Sequence, residues 1–339
     1  MRKGIAAAGS KYTYPSANAQ VADSWAAIEA SGSPCIKVYC GVDYLTDFPL
    51  ESWSSTPTTA KAVAQTSEMA TLLGRSWHTV VLTVFTFANG STNWWRVNPT
   101  AAKLLAEYTE IRDLAEHLLT TFNGTGRRFV IQNWEGDWAF MDTFTPETYV
   151  ARQIADRYVA FLGARRRAIE DARKAVASDC QVLMAFEANR VIEARTKPHL
   201  RRVLRDIAPR IQPDVVSYSA YDSTIDTSIG FGSSYSEWAA FTLPLFARAL
   251  RQLQLAFPGV PIQVGEFGFP EVQAVGIGRD IVPMINALHS IASAAGVTDF
   301  IYWQAFDNEE LLPGVPRGFY TVKPDGSTSM AGAAMAALP

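Results

Sequence analysis

Short apolar runs rich in β-branched and aromatic residues alternate along the chain with longer stretches of helical periodicity. The apolar runs are "KGIAAAG" (3–9), "CIKVYC" (35–40), "TVVLTVFTF" (79–87), "RFVIQNW" (128–134), "CQVLMAF" (180–186), "DVVSYSAY" (214–221), "PIQVGEF" (261–267) and "DFIYWQAF" (299–306). They are continuous rather than alternating, which predicts strands covered on both faces, as in a parallel sheet. Helices are predicted between them. One opens at Asn18, and one runs through "TTAKAVAQTSEMATLLG" to a stop at Gly74. One is capped by Asn98 with Pro99 in its first turn, and one is capped by Thr145 with Pro146 following. "KPHLRRVLRDIA", "SEWAAFTLPLFARALRQLQLAF", "GRDIVPMINALHSIASAAG" and "SMAGAAMAAL" complete the series.

Eight strands and eight helices, strand first and without a break, predict a (β/α)8 TIM barrel in the α/β class. We expect residues 1–339 to form one domain, since no linker interrupts the alternation. An open doubly wound sheet is the competing topology. It normally carries a glycine-rich phosphate turn, and the first turn here, "AAAGSKYTYP", has one glycine.

In a barrel of this kind chemistry sits at the C-terminal ends of the strands. "FVIQNWEGDW" places Glu135 at the end of the fourth strand, and "IQVGEFGFP" places Glu266 at the end of the seventh. Each is flanked by glycine and aromatic residues. A single glutamate so placed reads as a buried ion-pair member or a helix cap. Two at matched strand ends read as an opposed pair, which glycoside hydrolysis requires: one carboxyl protonated to deliver a proton, one ionised to attack the anomeric carbon. Glu187, Asp137, Asp307 and Glu309 are weaker candidates. Glu187 equally suits a pairing with Arg190 and reads as support behind the site, and Asp137 and Asp307 sit deeper in loops, where contact with substrate or solvent fits better than chemistry.

"GEFGFP", "YWQAFDNE" and the tail "RGFYTVKPDGSTSMAGAAM" together resemble the clan A (β/α)8 retaining glycoside hydrolases, which include cellulases, mannanases, β-galactosidases and β-glucuronidases. The resemblance implies Glu266 as nucleophile and Glu135 as general acid/base. It implies that Tyr221 hydrogen-bonds the nucleophile and that Trp303 floors the sugar site. The chain departs from the clan's pattern at three places, as a divergent member. Trp134 occupies the slot where the clan has asparagine, leaving Asn133, two residues before Glu135, as the candidate for the sugar 2-hydroxyl. Lys37 stands where an arginine is usual, and Ser219 where many members have histidine.

Nine tryptophans add to this picture, with Trp53, Trp94, Trp95, Trp134 and Trp138 in predicted strand-to-helix loops. As a set they predict a mouth lined with flat apolar faces suited to carbohydrate, where Tyr12, Tyr14, Tyr39 and Tyr44 would add hydroxyl contacts. For any one of them, packing a loop onto the barrel is the plainer reading.

Charge and composition narrow the alternatives. The net charge of −3 gives no electrostatic footprint for nucleic acid, and the basic run "ARRRAIEDARK" is broken by Glu170 and Asp171. No stretch is long and apolar enough to span a membrane. The N-terminal apolar part is too short and glycine-broken for a signal peptide, which favours the cytoplasm unless a leader was removed. Cys35, Cys40 and Cys180 are expected as buried thiols rather than a disulfide framework. The four histidines fall before the third strand or within helices, so no metal or other cofactor is expected. The sequence therefore predicts a carbohydrate partner and cleavage of a β-linked glycoside by a two-glutamate double displacement. A barrel that binds carbohydrate without cleaving it is the alternative.

Overall fold

The computed structural model describes residues 1–12, 15–16, 18–90, 93–97, 99–225 and 234–339. Eight parallel strands close into a barrel: β1 (Arg2–Ala7), β2 (Cys35–Gly41), β3 (Thr79–Phe85), β4 (Arg128–Gln132), β5 (Gln181–Ala188), β6 (Val215–Ser219), β7 (Ile262–Phe267) and β8 (Asp299–Tyr302). Each pairs with its sequence neighbour, and β8 returns to β1 through the register Gly4↔Ile301. The predicted (β/α)8 barrel is thus the observed fold.

Two apolar layers hold it. Outward-facing strand residues such as Ile36, Val38, Val80, Leu82, Phe129 and Phe186 pack against the helices. A smaller inner cluster fills the barrel with Ala6, Cys35, Val81, Val130, Ala185, Val215 and Ile301. Both strand faces are therefore dry, which explains the continuous apolar runs. The bottom is closed by a polar plug, in which Arg2 donates from Nε to Asp299 at 2.7 Å and Arg128 lies 3.5 Å away. The three thiols are buried and unpaired.

Several helices differ from the sequence expectation. The stretch ending at Gly74 is two helices, Ala60–Gln65 and Ser67–Gly74. Thr66 breaks the chain between them and caps the second through its side chain. The helix after β3 spans Ala101–Thr121, and Thr100 caps it by accepting from Lys103 N; the expected cap, Asn98, lies outside the described residues. The helix after β4 begins at Arg152 rather than Thr145. The segment before it is diverted across the barrel mouth, where the Arg202 guanidinium donates to the Pro146 carbonyl. Ser234 forms the capping box of Tyr235–Ala256, accepting from Glu237 N while Glu237 accepts from Ser234 N. No helix among the described residues is long and apolar enough to cross a membrane.

One irregularity in the sheet decides the site. In β7 the partners step from Tyr218↔Val264 to Ser219↔Glu266, and on the other edge from Val264↔Phe300 to Phe267↔Tyr302. An extra residue is therefore inserted at Gly265–Glu266. Val264 and Phe267 both face the helices. Strict alternation would send Glu266 outward with Val264; the bulge turns it into the barrel.

Candidate active site

Glu266 enters the barrel from the β7 bulge, and its Oε1 accepts from Lys37 Nζ at 2.5 Å. Lys37 stands on β2, beneath the floor of the cleft, and is fully buried. Its Nζ also lies 3.2 Å from Glu187 Oε1 and 3.3 Å from the Gly265 carbonyl. Glu187, on β5, is fully buried too. Its Oε1 accepts from Lys37, from Gln132 Nε2 at 3.1 Å and from Ser217 Oγ at 2.9 Å, while its Oε2 accepts the backbone N–H of Glu135 at 2.9 Å. This carboxylate joins the segment carrying Glu135 to the cation that holds Glu266. The expected pairing of Glu187 with Arg190 does not form: Arg190 donates to Glu193 and lies over Trp138.

The glycines beside both glutamates are explained by close approach. A Cβ at Gly265 would come within 2.0 Å of Ser217 Oγ and 2.9 Å of Glu187 Oε1, and one at Gly136 within 2.3 Å of the Glu187 carbonyl. Only glycine lets these backbones close over the Glu187 network.

Glu135 sits three residues beyond β4, leading into the short helix Gly136–Met141. Its Oε1 accepts from Ser219 Oγ at 2.6 Å, so the residue standing where the clan resemblance expects histidine contacts this glutamate. Burial first, and then the Glu266 charge, push the Glu135 carboxyl well above the usual carboxylate range. Burial also pushes Glu266 up, to about 7, with the Lys37 ammonium pulling against it. Lys37 is disfavoured as a cation by burial, but Glu187 and Glu266 hold it above the ordinary lysine value. Three carboxyls around one ammonium in a dry barrel favour a shared proton. It belongs on Glu135, whose direct partner is the Ser219 hydroxyl and on which Lys37 acts only as the weakest of several influences, leaving Glu266, in contact with the ammonium, as the carboxylate.

Both glutamates line a cleft of about 750 Å³ at the C-terminal mouth of the barrel. Trp134, Trp138, Phe144 and Pro146 wall it from the β4 loop, with Asn189 and Arg190 beside them. Tyr39, Trp303, Asn308, Glu309, Arg317 and Phe319 close the other end, and Tyr221 and Ile225 lie between. Trp303 follows β8 directly, its peptide bond to Gln304 is cis, and its ring meets Tyr39 edge-on at 6.1 Å. The tail reaches the site because Asp307 accepts from Gly318 N and Phe319 N, which folds the "GFY" segment back over β8.

Several expected site residues are placed elsewhere. Asn133 points out of the barrel: its Nδ2 donates to Tyr158 OH at 2.9 Å, its Oδ1 accepts from Glu187 N at 3.2 Å, and it does not line the cleft. Trp95 is buried in the helical layer, stacked on Tyr158 at 4.3 Å. Trp94 packs there on Phe161, and Trp53 packs on Tyr44. Tyr221 borders the cleft, but its hydroxyl does not donate to Glu266, whose partner is Lys37. Asp137 braces the β4 and β5 loops by accepting from Asn189 N, Arg190 N and Val203 N. Tyr12 OH accepts from Asp307 N at 2.9 Å and so braces the tail, and Tyr14 lies outside the described residues. Glu309 does reach the cleft, where it pairs with Arg317 at 2.7 Å. The polar layer of Gln132, Ser217 and Gln263 was missed by sequence reasoning. Its signal is there, in polar residues interrupting strands otherwise apolar. No group of metal-ligating side chains occurs among the described residues.

No family model matches the sequence, and comparison with curated proteins finds no match. Solved structures do match over nearly the whole chain. A lichenase of glycoside hydrolase family 5 from a Caldicellulosiruptor species, solved with cellotetraose, shares 13% identity at a TM-score of 0.61, covering 99% of this chain and 92% of its own. A xyloglucan-specific endo-β-1,4-glucanase of the same family from a metagenomic library, solved with cellotriose, gives 13% and 0.55, covering 98% and 95%. An exo-β-1,4-mannosidase from an Opitutaceae bacterium gives 13% and 0.61, covering 99% of this chain and 58% of its own. At this identity the likeness is one of fold: the chain is built as these (β/α)8 enzymes are.

Proposed function

We propose that this chain is a retaining glycoside hydrolase acting on a β-linked glycoside, oligosaccharide or polysaccharide. The observation that carries the reading is the pair of buried glutamates on one cleft in unlike environments, Glu266 against Lys37 and Glu135 against Ser219. Glu135 gives its proton to the glycosidic oxygen as a Glu266 oxygen attacks the anomeric carbon. The C–O bond breaks, the alcohol leaves, and the sugar is held as an ester on Glu266. Glu135, now a carboxylate, takes a proton from water, whose oxygen attacks the same carbon and releases Glu266. Trp303 offers an indole face to the C–H face of the pyranose bound there. The clan resemblance and the fold shared with glucanases and a mannosidase support the same reading.

Carbohydrate binding without turnover is the second reading. The observation favouring it is Asn133, whose withdrawal leaves the cleft without that amide. Hydrolysis of aryl β-glycosides and β-glucans by the wild type beside Glu266→Gln separates the two. Turnover lost in the variant supports the hydrolase, and binding without turnover in both proteins supports the binder.

A further inference from the structure

A second cavity, of about 400 Å³, shares no lining residue with the cleft. It exists because the crossover from β5 to β6 is built of short pieces. Where the sequence predicts one helix over "KPHLRRVLRDIA", the chain forms Val203–Asp206 and the 3-10 turn Ala208–Arg210. Pro209 has no N–H for the Arg205 carbonyl, so the α-helix cannot run on. The cavity opens between these pieces and the first turns of the helix Arg152–Ala175. Four arginines line it, Arg152, Arg201, Arg205 and Arg210, against two carboxylates, Asp156 and Asp206. Asp206 serves both Arg201 and Arg205 at 3.1 Å, and Asp156 pairs with Arg210 at 2.8 Å. Arg152 is left without a carboxylate among the described residues, and Arg201 Nε is buried with no hydrogen-bond partner. Arg152 is also the first residue of its helix, whose first turn holds no acid and whose macrodipole opposes a cation there. The excess is regional as well: residues 152–214 hold fourteen Lys and Arg against eight Asp and Glu, in a chain of net charge −3.

We infer that this cavity is a binding site for an acidic sugar, one carrying a carboxylate or sulfate on its ring, separate from the cleft that holds the two glutamates. Guanidinium forks meet such oxyanions at two oxygens. Asp156 and Asp206 stand beside them as acceptors for ring hydroxyls. The volume falls in the range that small-molecule ligands fill, about 300–1,000 Å³, rather than that of one inorganic ion. Ala155 and Pro209 are the only apolar residues of the lining, so the cavity offers little to the apolar side chains of a peptide. The inference stands whether the cleft hydrolyses carbohydrate or only binds it.

Calorimetric titration tests it with trigalacturonate, trisulfated maltotriose, inorganic sulfate and triglutamate. The proteins are wild type, Arg152→Ala/Arg210→Ala and Lys61→Ala/Lys103→Ala. Arg152 and Arg210 are exposed, and the lysine variant removes the same charge from two other helices. At least one acidic trisaccharide should bind the wild type, with affinity about tenfold weaker in the arginine variant and unaltered in the lysine variant. Equal affinity in wild type and the arginine variant overturns the inference, because binding then lies elsewhere. An equal loss in both variants overturns it too, by reducing the effect to general charge attraction. Sulfate or triglutamate that binds as tightly as the trisaccharide overturns the assignment to a sugar, in favour of a free anion or an acidic peptide. If neither acidic trisaccharide binds the wild type, the site does not exist.

Discussion

Lys37 Nζ lies 2.5 Å from Glu266 Oε1, inside the barrel and shut off from water on every side but the carboxylate's own. A lysine is a point charge and cannot grip a carboxylate at two oxygens as arginine does. It orients Glu266 only because Glu187 and the Gly265 carbonyl fix its other directions. The charge and aim of Glu266, the proposed nucleophile, thus depend on three strands, β2, β5 and β7.

Replacing Lys37 with methionine removes the cation and leaves Glu187 and Glu266 buried side by side. Stability is expected to fall by about 3–5 kcal/mol, the usual cost of orphaning a buried charge. Glu266 loses the charge that holds it down, so the acid limb of the pH–rate profile moves up. Denaturant unfolding and a pH profile on one aryl glycoside check both.

Glu135 is expected to matter in proportion to how badly the leaving group needs a proton. Glu135→Ala should lower kcat/KM by about 10²–10⁴ on substrates with poorly acidic leaving groups. The loss should be much smaller on dinitrophenyl glycosides. Azide should restore turnover and yield a glycosyl azide, since the variant removes the base as well as the acid.

The pH profile itself follows from the environments. Attack needs Glu266 ionised, so activity should fall as pH drops through about 7. It should fall again at higher pH as Glu135 loses its proton. Glu187→Gln removes a negative charge that raises both groups, with Lys37, Glu309, Tyr39 and Tyr221 as the remaining titratable neighbours, so both limbs should move to lower pH. A purely structural role for Glu187 would lower the rate at every pH without moving either limb.

Gly265→Ala should cost about 1–3 kcal/mol, because the added methyl meets Ser217 Oγ at 2.0 Å within a packed polar layer. Activity should fall further than stability explains, since the bulge that turns Glu266 inward is at this residue. Thermal unfolding beside kcat gives the comparison.

The barrel was legible because burial on both strand faces writes itself as continuous apolar runs, and Glu135 and Glu266 because a carboxylate at the end of such a run has no packing use. The bulge in β7 was not legible. It shifts two residues onto one face, and "IQVGEF" reads as a regular strand unless Gly265 is taken as a warning. Asn133 was misplaced by the period of two, which held only while the chain stayed a strand; β4 ends at Gln132, and the backbone turns before Glu135. Trp95 was misread because a tryptophan in a loop and one under a helix look alike in sequence. Glu187 was seen as a supporting residue but given the wrong partner, since Arg190 is near in sequence while Lys37, 150 residues away, is near only across the closed barrel.

The central claim is that Glu135 and Glu266 carry out a double displacement. It is tested most directly by proton NMR of the first sugar released from a β-linked substrate, read before mutarotation scrambles the anomers. The account predicts that the β-anomer appears first and that Glu266→Gln releases none. First release of the α-anomer would mean single displacement by water, with no sugar ever bound to Glu266, and would contradict it.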